Sequence, residues 1–570
     1  VDFETVLAKT EGNPLFVEEM VRMLAERRAG GSERIPDTVQ ALIAARIDRL
    51  PSAPRLALQR ASVMGRIFMA GALAHISPEI DDVDNCIEEL LLRDLIVRET
   101  RATIHGERAY KFKHVLIREV AYSALAKSAR ADLHHSFAEW LHDRAGDELL
   151  EIRAFHLDQA ATLLAELDGS APAELREETA VALTHAGKRA LSREAFRSAR
   201  KLLLRAVELA PTLDRRYLAG RAAWRLADFP AVLVEMGEVS HAAGEAGETR
   251  LQGRALTALA EAVLHHRADA VTARRIVAEA LEVLEGESPE IRFEPLWVAA
   301  QVAGWFGDSD EFERWAKDAL AAAREAERKD LEANVIHGLV NAYVLRLELL
   351  EAAPLVLRAL ELADASGSLF SRASALGVRG WLQLVSERPV EAEADFVVGR
   401  ELFAELGNTN REAYMIMMTG RAAFAQGATE RAEKLLRDAV RMLKGIGDRG
   451  SLCEAQRALS MVLSAQGRFD EAERLALEAR ETVGPDDRVS LSTTTLALGI
   501  VRAGQKRDAE AEALMREAVD GFTMYGIRAL EHWALRYLAE FLRSRGRDDE
   551  AVVYEERRAA LAPVSTASIV

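Results

Sequence analysis

The chain has 570 residues, about four times the ~150 of a typical domain, so it holds several domains or one long repeat array, and a single small core is excluded. It is 49% hydrophobic and 29% charged with only 14 Pro, which excludes a disordered chain and, with Ala, Leu, Glu and Arg abundant, favours helix. A net charge of −17 argues against non-specific binding to DNA or anionic membranes, and no run approaches the ~18 apolar residues of a membrane span.

The opening Val1-Asp2-Phe3-Glu4 has neither the basic flank nor the apolar core of a signal peptide, and it enters a helical pattern without an initiator Met. A cytoplasmic piece of a longer protein is expected. After Pro36, Asp37-Thr38-Val39-Gln40 starts a helix with Val39, Leu42, Ile43 and Ile47 on one face, until Pro51 and Pro54 break it. A second helix is predicted from Arg55 to Met64 and, past Gly65, a third from Val83 to Leu92. Leu95 to Glu99 reads as a strand by its branched residues, and Ala109 to Lys113 as its partner across a turn around Thr103 to Glu107. In that partner Tyr110 and Phe112 share one face and Lys111 and Lys113 the other. Three helices and a hairpin make a winged-helix-like domain, assigned with its linking helices to residues 31–165.

A winged helix most often binds DNA through its third helix. Here that helix and its approach carry Asp81, Asp82, Asp84, Glu88 and Glu89 against Arg93 alone, so phosphates would be repelled. Direct contact with nucleic acid is not expected. Cys86 and Cys453 form no motif. His134-His135 and His265-His266 are discounted as metal ligands, because adjacent residues on a helix point in different directions.

From residue 166 to 562 one phrase returns, Ala-x-x-Leu-x-x-x-Ala: Ala432, Leu435, Ala439; Ala472, Leu475, Ala479; Ala511, Leu514, Ala518. Upstream copies stand at Ala199 and Ala273, and degenerate ones near Phe312, Ala353 and Ala392. A turn with Gly precedes it at Gly427, Gly467, Gly504 and Gly546. Small residues on one face let two helices approach, the intervening Leu fills the groove, and each unit becomes an antiparallel pair. About ten such pairs stack into an α-solenoid with Ala432, Ala472 and Ala511 at equivalent buried sites, so the fold class is mainly α, a winged-helix-like domain followed by a superhelix. Residues 563–570 form a short tail. Trp305, Trp381 and Trp533 are candidates for a ligand groove on the superhelix, although such residues more often fill a solenoid core. The charged residues fall at the spacing of a helical surface rather than in surroundings that would shift a pKa.

The repeat resembles tetratricopeptide repeats, with a step nearer 40 than 34. Three further phrases, Thr10-Glu11-Gly12-Asn13-Pro14-Leu15-Phe16-Val17-Glu18-Glu19, Ile35-Pro36-Asp37-Thr38-Val39-Gln40-Ala41-Leu42 and Phe112-Lys113-His114-Val115-Leu116-Ile117-Arg118-Glu119-Val120-Ala121-Tyr122, resemble the lid and winged-helix segment of bacterial STAND-class signal-transduction ATPases. The resemblance implies that residues 1–30 end an ATPase lid and that the phosphate-binding loop lies upstream. The chain's one Gly-Lys pair, Gly187-Lys188, continues into Arg189 within a helical repeat, so this chain alone is expected to be no enzyme and to hold no cofactor. ATP or ADP with Mg belongs to the full-length protein.

There, Gly12, Asn13 and Pro14 would meet the adenine, and His114 and Arg118 the phosphates. The plainer readings are a helix start capped by Asn13, a His114 that caps its own helix or packs on Tyr122, and an Arg118 paired with Glu119 or a surface acid. The implied function is a regulatory arm that takes a protein or small-molecule inducer on the superhelix, with ligand-induced oligomerisation, and signals to an upstream ATPase and effector, for which a purine nucleotide cyclase is favoured. The alternative is part of a LuxR-like transcriptional regulator; its DNA-binding domain would follow the superhelix, where only the short tail stands.

Overall fold

A computed structural model describes residues 17–18, 38–100, 104 and 106–561; Gly12, Asn13, Pro14 and the tail lie outside the described residues. Two compact units divide the chain, one of residues up to 186 with 205–210, the other of 187–204 with 211–570.

In the first unit, Thr38 caps the helix Val39–Asp48, its hydroxyl accepting from the amide of Ala41. The next helix runs Ser52–Met64, so Pro51 caps it and Pro54 sits in its first turn, where a missing N–H costs nothing, rather than breaking it. Beyond Gly65 come a strand, β1 (Ile67–Met69), and a short helix, Ala70–His75, neither of which the sequence reading foresaw. The helix Val83–Leu92 leads into β2 (Ile96–Glu99) and β3 (Ala109–Phe112). The sheet is antiparallel in the order β1-β3-β2, with Phe68 opposite Tyr110 and Ile96 opposite Phe112. Tyr110, Phe112 and Phe68 turn inward, onto Leu58, Leu73, Ile87 and Ile117. The helices Lys127–Ala145 and Leu150–Asp168 complete this region.

The second unit is an α-solenoid whose helices alternate in antiparallel pairs from Leu213–Arg225 to Asp548–Ala560. Between the two helices of every such pair one residue takes a left-handed backbone: Ala227, Ala268, Gly307, Leu347, Glu387, Gly427, Gly467, Lys506 and Gly546. That is nine turns spaced about 40 apart, and Glu194, between the helices Ala173–Ser192 and Phe196–Leu209, makes a tenth among the described residues. Asp or Asn caps recur between pairs, as at Asn408, Asp448 and Asp487, each accepting from the amide three residues on.

Ala432, Ala472 and Ala511 are fully buried, as are Ala439, Ala479 and Ala518. The groove filler is not the expected Leu435 or Leu514, which are half-buried, but the next residue, Leu436 or Met515. Ala432, Leu436, Ala439 and Leu443 thus form the row that packs, at i, i+4, i+7 and i+11. Each filler meets a glycine sixteen residues earlier on the partner helix: Gly187 faces Leu203, Gly220 Met236, Gly380 Phe396, Gly420 Leu436 and Gly499 Met515.

The superhelix also touches itself about five units on. Glu194 accepts from the Ser368 hydroxyl at 2.6 Å and from the Phe370 amide at 3.2 Å. Asn408 donates to the Arg225 carbonyl at 3.0 Å, Arg197 lies against Gly407 and His266 against Gly447. Trp381 meets Trp533 edge-on at 6.0 Å.

Candidate ligand-binding site

Winding the solenoid back on itself frames a half-open cavity of about 560 Å³, lined mainly by the first helices of successive pairs. The helix Thr409–Ala425 presents Arg411, Tyr414, Met418 and Arg421, a single stripe at helical spacing. Arg221, Trp224 and Arg225 come from Leu213–Arg225, Glu261 and His265 from the helix Thr249–Ala262 and the π-helical turn Val263–Arg267, and Glu294, Trp297 and Trp305 from Pro289–Trp305. A single π turn in an α-helical array is a local departure that often marks a functional site. Here it carries His265 to Gln301, 3.3 Å away, and stacks its ring on Phe229.

Two ion pairs stand in the wall. Arg221 and Glu294 meet at 2.6 Å, and Arg457 and Glu454 at 2.7 Å. Burial alone would push each carboxyl up, but the facing guanidinium outweighs it and holds both Glu294 and Glu454 below the usual carboxylate range. Three other arginines, Arg225, Arg411 and Arg421, have no carboxylate within 4 Å among the described residues. Arg421 is flanked instead by the rings of Trp381 and Trp533, with centroids 5.0 and 5.7 Å away, and Arg225 by Trp224 and Phe370. Burial, then the charge of Arg457, lowers Arg421 to about 10; burial and Arg221 lower Arg225 to about 10. Both remain cations at neutral pH. His337, lowered to about 3 by burial and by Arg411, is neutral, and burial raises the Glu261 carboxyl.

Of the residues expected at a groove, Trp305 and Trp381 line the cavity, whereas Trp533 backs Trp381 and lies in the surrounding core. The expectation that charged residues sit only at ordinary surfaces is corrected by these arginines, glutamates and His337. Their spacing imitates a solvent face because the inside of a superhelix is itself a polar face. The signal that could have found them is repetition: an arginine, histidine, asparagine or tryptophan stands on the first helix of each pair.

In the first unit, His114 stands at the start of the helix Val115–Ser123 without capping it, and its Nε2 lies 4.0 Å from Glu18. Arg118 donates to the Ser62 carbonyl at 2.9 Å rather than to an acid. Tyr122 bonds to His134, not His114, and His134 in turn meets His156 at 2.7 Å while His135 turns to Glu178. The acids of Val83–Leu92 have more partners than Arg93: Arg108 holds Asp84 at 2.6 Å and Arg98 holds Glu88 at 2.9 Å. Arg98 and Arg108 of the hairpin are therefore spent on the helix.

Comparison with known proteins agrees with the repeat. The tetratricopeptide repeat model matches residues 452–486, which span the helix pair Arg449–Ala465 and Phe469–Thr482. The chain carries a tetratricopeptide-type repeat. An uncharacterized protein of Rhizobium meliloti (strain 1021) is 26% identical over 208 residues, 35% of this chain and 19% of that protein, so the match spans about a fifth of the relative's length. Among solved structures, a Rap protein complexed with competence and sporulation factor is 11% identical, covers 61% of this chain and 97% of its own, and gives a TM-score of 0.49. A STAND protein with a tetratricopeptide repeat sensor from Pyrococcus horikoshii is 12% identical, covers 98% of this chain and 68% of its own, and gives 0.33. Among the described residues no helix is long and apolar enough to cross a membrane.

Proposed function

We propose that this chain is the sensing and relay part of a STAND-type signal-transduction ATPase. The observation that carries the reading is the walled cavity inside a tetratricopeptide-type superhelix, whose size falls in the range of small-molecule sites. An occupant touching several helix pairs at once tightens the winding of the array, and a change in winding is a mechanical signal. The first unit, with the element order of a winged helix, passes it to an upstream nucleotide-binding domain. His114 and Arg118 are the groups of that unit offered to nucleotide phosphates, and Gly12, Asn13 and Pro14 those offered to the adenine. His114 has only Glu18 at 4.0 Å beside its Nε2, while Arg118 is bonded to the Ser62 carbonyl and not to an acid. In the full-length protein ATP or ADP with Mg occupies the upstream domain, and a purine nucleotide cyclase is the favoured effector.

The experiment uses the full natural polypeptide. Its ATP turnover is measured before and after a rigid cross-link across the superhelix, between cysteines introduced at the half-buried Ser368 and Glu194, which hydrogen-bond across the winding. A turnover that changes with the cross-link and returns on reduction supports the reading. Turnover indifferent to the winding overturns it.

A further inference from the structure

The cavity has a chemistry of its own. A chain of net charge −17 places three arginines without carboxylate partners on the wall of one chamber. Carboxylates act on Arg225 (Glu294, Glu194) and Arg421 (Glu454) only from beyond 4 Å, and a part-buried cation with no carboxylate in direct contact is costly. Glu261, one of the acids in the wall, is itself pushed toward its neutral form by burial. Planar groups surround the cations: Trp224, Trp297, Trp305, Trp381 and Tyr414 all line the space. Arg411 and Arg421 are ten residues apart on one helix, about 15 Å along its axis, the length of a two- to three-ring molecule. Gln301, also in the wall, has a buried Nε2 with no partner.

We propose that the chamber binds a small organic anion with a planar apolar body, its carboxylate or phosphate held by Arg411 or Arg421 with Arg225, and its rings by the tryptophans. Guanidinium groups suit both anions, since each presents paired oxygens to the fork of donors. This rests on the reading of the superhelix as the sensing arm, but only for its biological use; binding is tested separately.

The probe is 8-anilinonaphthalene-1-sulfonate, an anion with a two-ring body, titrated into the 570-residue chain at low salt and followed by its fluorescence. One saturable site per chain is expected. Indole-3-acetate or adenosine 5′-monophosphate should displace the probe, the carboxylate and phosphate arms telling the two sources apart, while indole-3-acetamide and adenosine should not. Arg225→Gln and at least one of Arg411→Gln and Arg421→Gln should weaken the probe at least tenfold, and Arg372→Gln, on an exposed helix position, should leave it unchanged. Arg421→Lys, which keeps the charge, covers the case in which Arg421→Gln does not fold, and should weaken the probe several-fold. Equal affinity for the neutral N-phenyl-1-naphthylamine, probe binding within twofold in all the arginine variants, or displacement by inorganic phosphate alone, which marks an adventitious ion only, would each overturn the proposal. Those failures leave the cross-linking result standing, and an unresponsive cross-link leaves the anion site standing.

Discussion

Asp487 is asked to do two things that conflict. Its carboxylate caps the helix Arg488–Gly504 by accepting from the Ser490 amide at 2.9 Å, yet it is 8% exposed, and burial raises it from 3.8 to about 6. A carboxyl whose folded pKa is raised contributes stability that is present below about pH 4 and lost as pH rises through about 6. Asparagine caps a helix as well as aspartate and carries no charge. Asp487→Asn is therefore expected to exceed the native chain by about 1 to 3 kcal/mol at pH 7.5, the gap closing near pH 4. Thermal melts at the two pH values measure it, and a variant no more stable at pH 7.5 contradicts the account. Lys506 offers a cleaner case. It is exposed and holds φ at 61°, where a side chain costs about 1 to 2 kcal/mol. Four equivalent turns carry Gly307, Gly427, Gly467 and Gly546. Lys506→Gly relieves the strain and loses part of the gain to unfolded-chain entropy, so a rise of about 0.5 to 1 kcal/mol is expected in denaturant titrations.

At the scale of the helix pair, the glycine that faces each large residue decides how close the two helices come. A Cβ on Gly380 would stand 2.6 Å from the ring of Phe396, which is fully buried and has nowhere to turn. Gly380→Ala should lose about 1 to 3 kcal/mol to overpacking, more than the ~1 kcal/mol that alanine gains in helix propensity. Gly445, exposed in the helix Thr429–Ile446 with open space around it, is the matched control: there alanine should stabilise by up to about 1 kcal/mol. Equal effects at both positions would sink the packing argument. The repeat was readable because alanines recur at a fixed step, and so was the burial of Ala432, Ala472 and Ala511. The packing row slipped by one residue because Leu435-Leu436 and Leu514-Met515 offer two apolar choices side by side, and only the opposing glycine separates them. Units whose tight turn uses Ala227, Leu347 or Glu387 carry no glycine to announce it. β1, three residues long, exists only through its pairing with β3, a contact about 40 residues away in sequence that no local pattern encodes.

The whole superhelix departs from the simplest view of a solenoid, in which each repeat meets only its neighbours and stability is a sum of neighbour terms. Contacts such as Glu194 with Ser368 and Asn408 with Arg225 join repeats 174 and 183 residues apart, so the winding closes a loop of interactions and the chamber exists only while the loop is closed. That is why Trp305 and Trp381 could be suspected from sequence while Arg225, Arg411 and Arg421 could not: their convergence depends on these distant contacts. The consequence can be tested at Gly484, just beyond the helix Phe469–Thr482, which lies against the carbonyl of Ala268 at the end of the π turn. A Cβ there would fall well inside contact distance of that oxygen, and the obstacle is backbone, with Ala268 itself only 4% exposed and held at φ 54°. No side chain can swing aside, so the two windings must part. Gly484→Ala is expected to enlarge the radius of gyration in small-angle scattering, to split one melting transition into two as the non-neighbour coupling is lost, and to weaken the naphthalene sulfonate probe several-fold although every chamber arginine is intact. Unchanged scattering with an unchanged single transition would mean that the turns are not coupled through this contact, and the chamber would then have to be held by the neighbour interfaces alone.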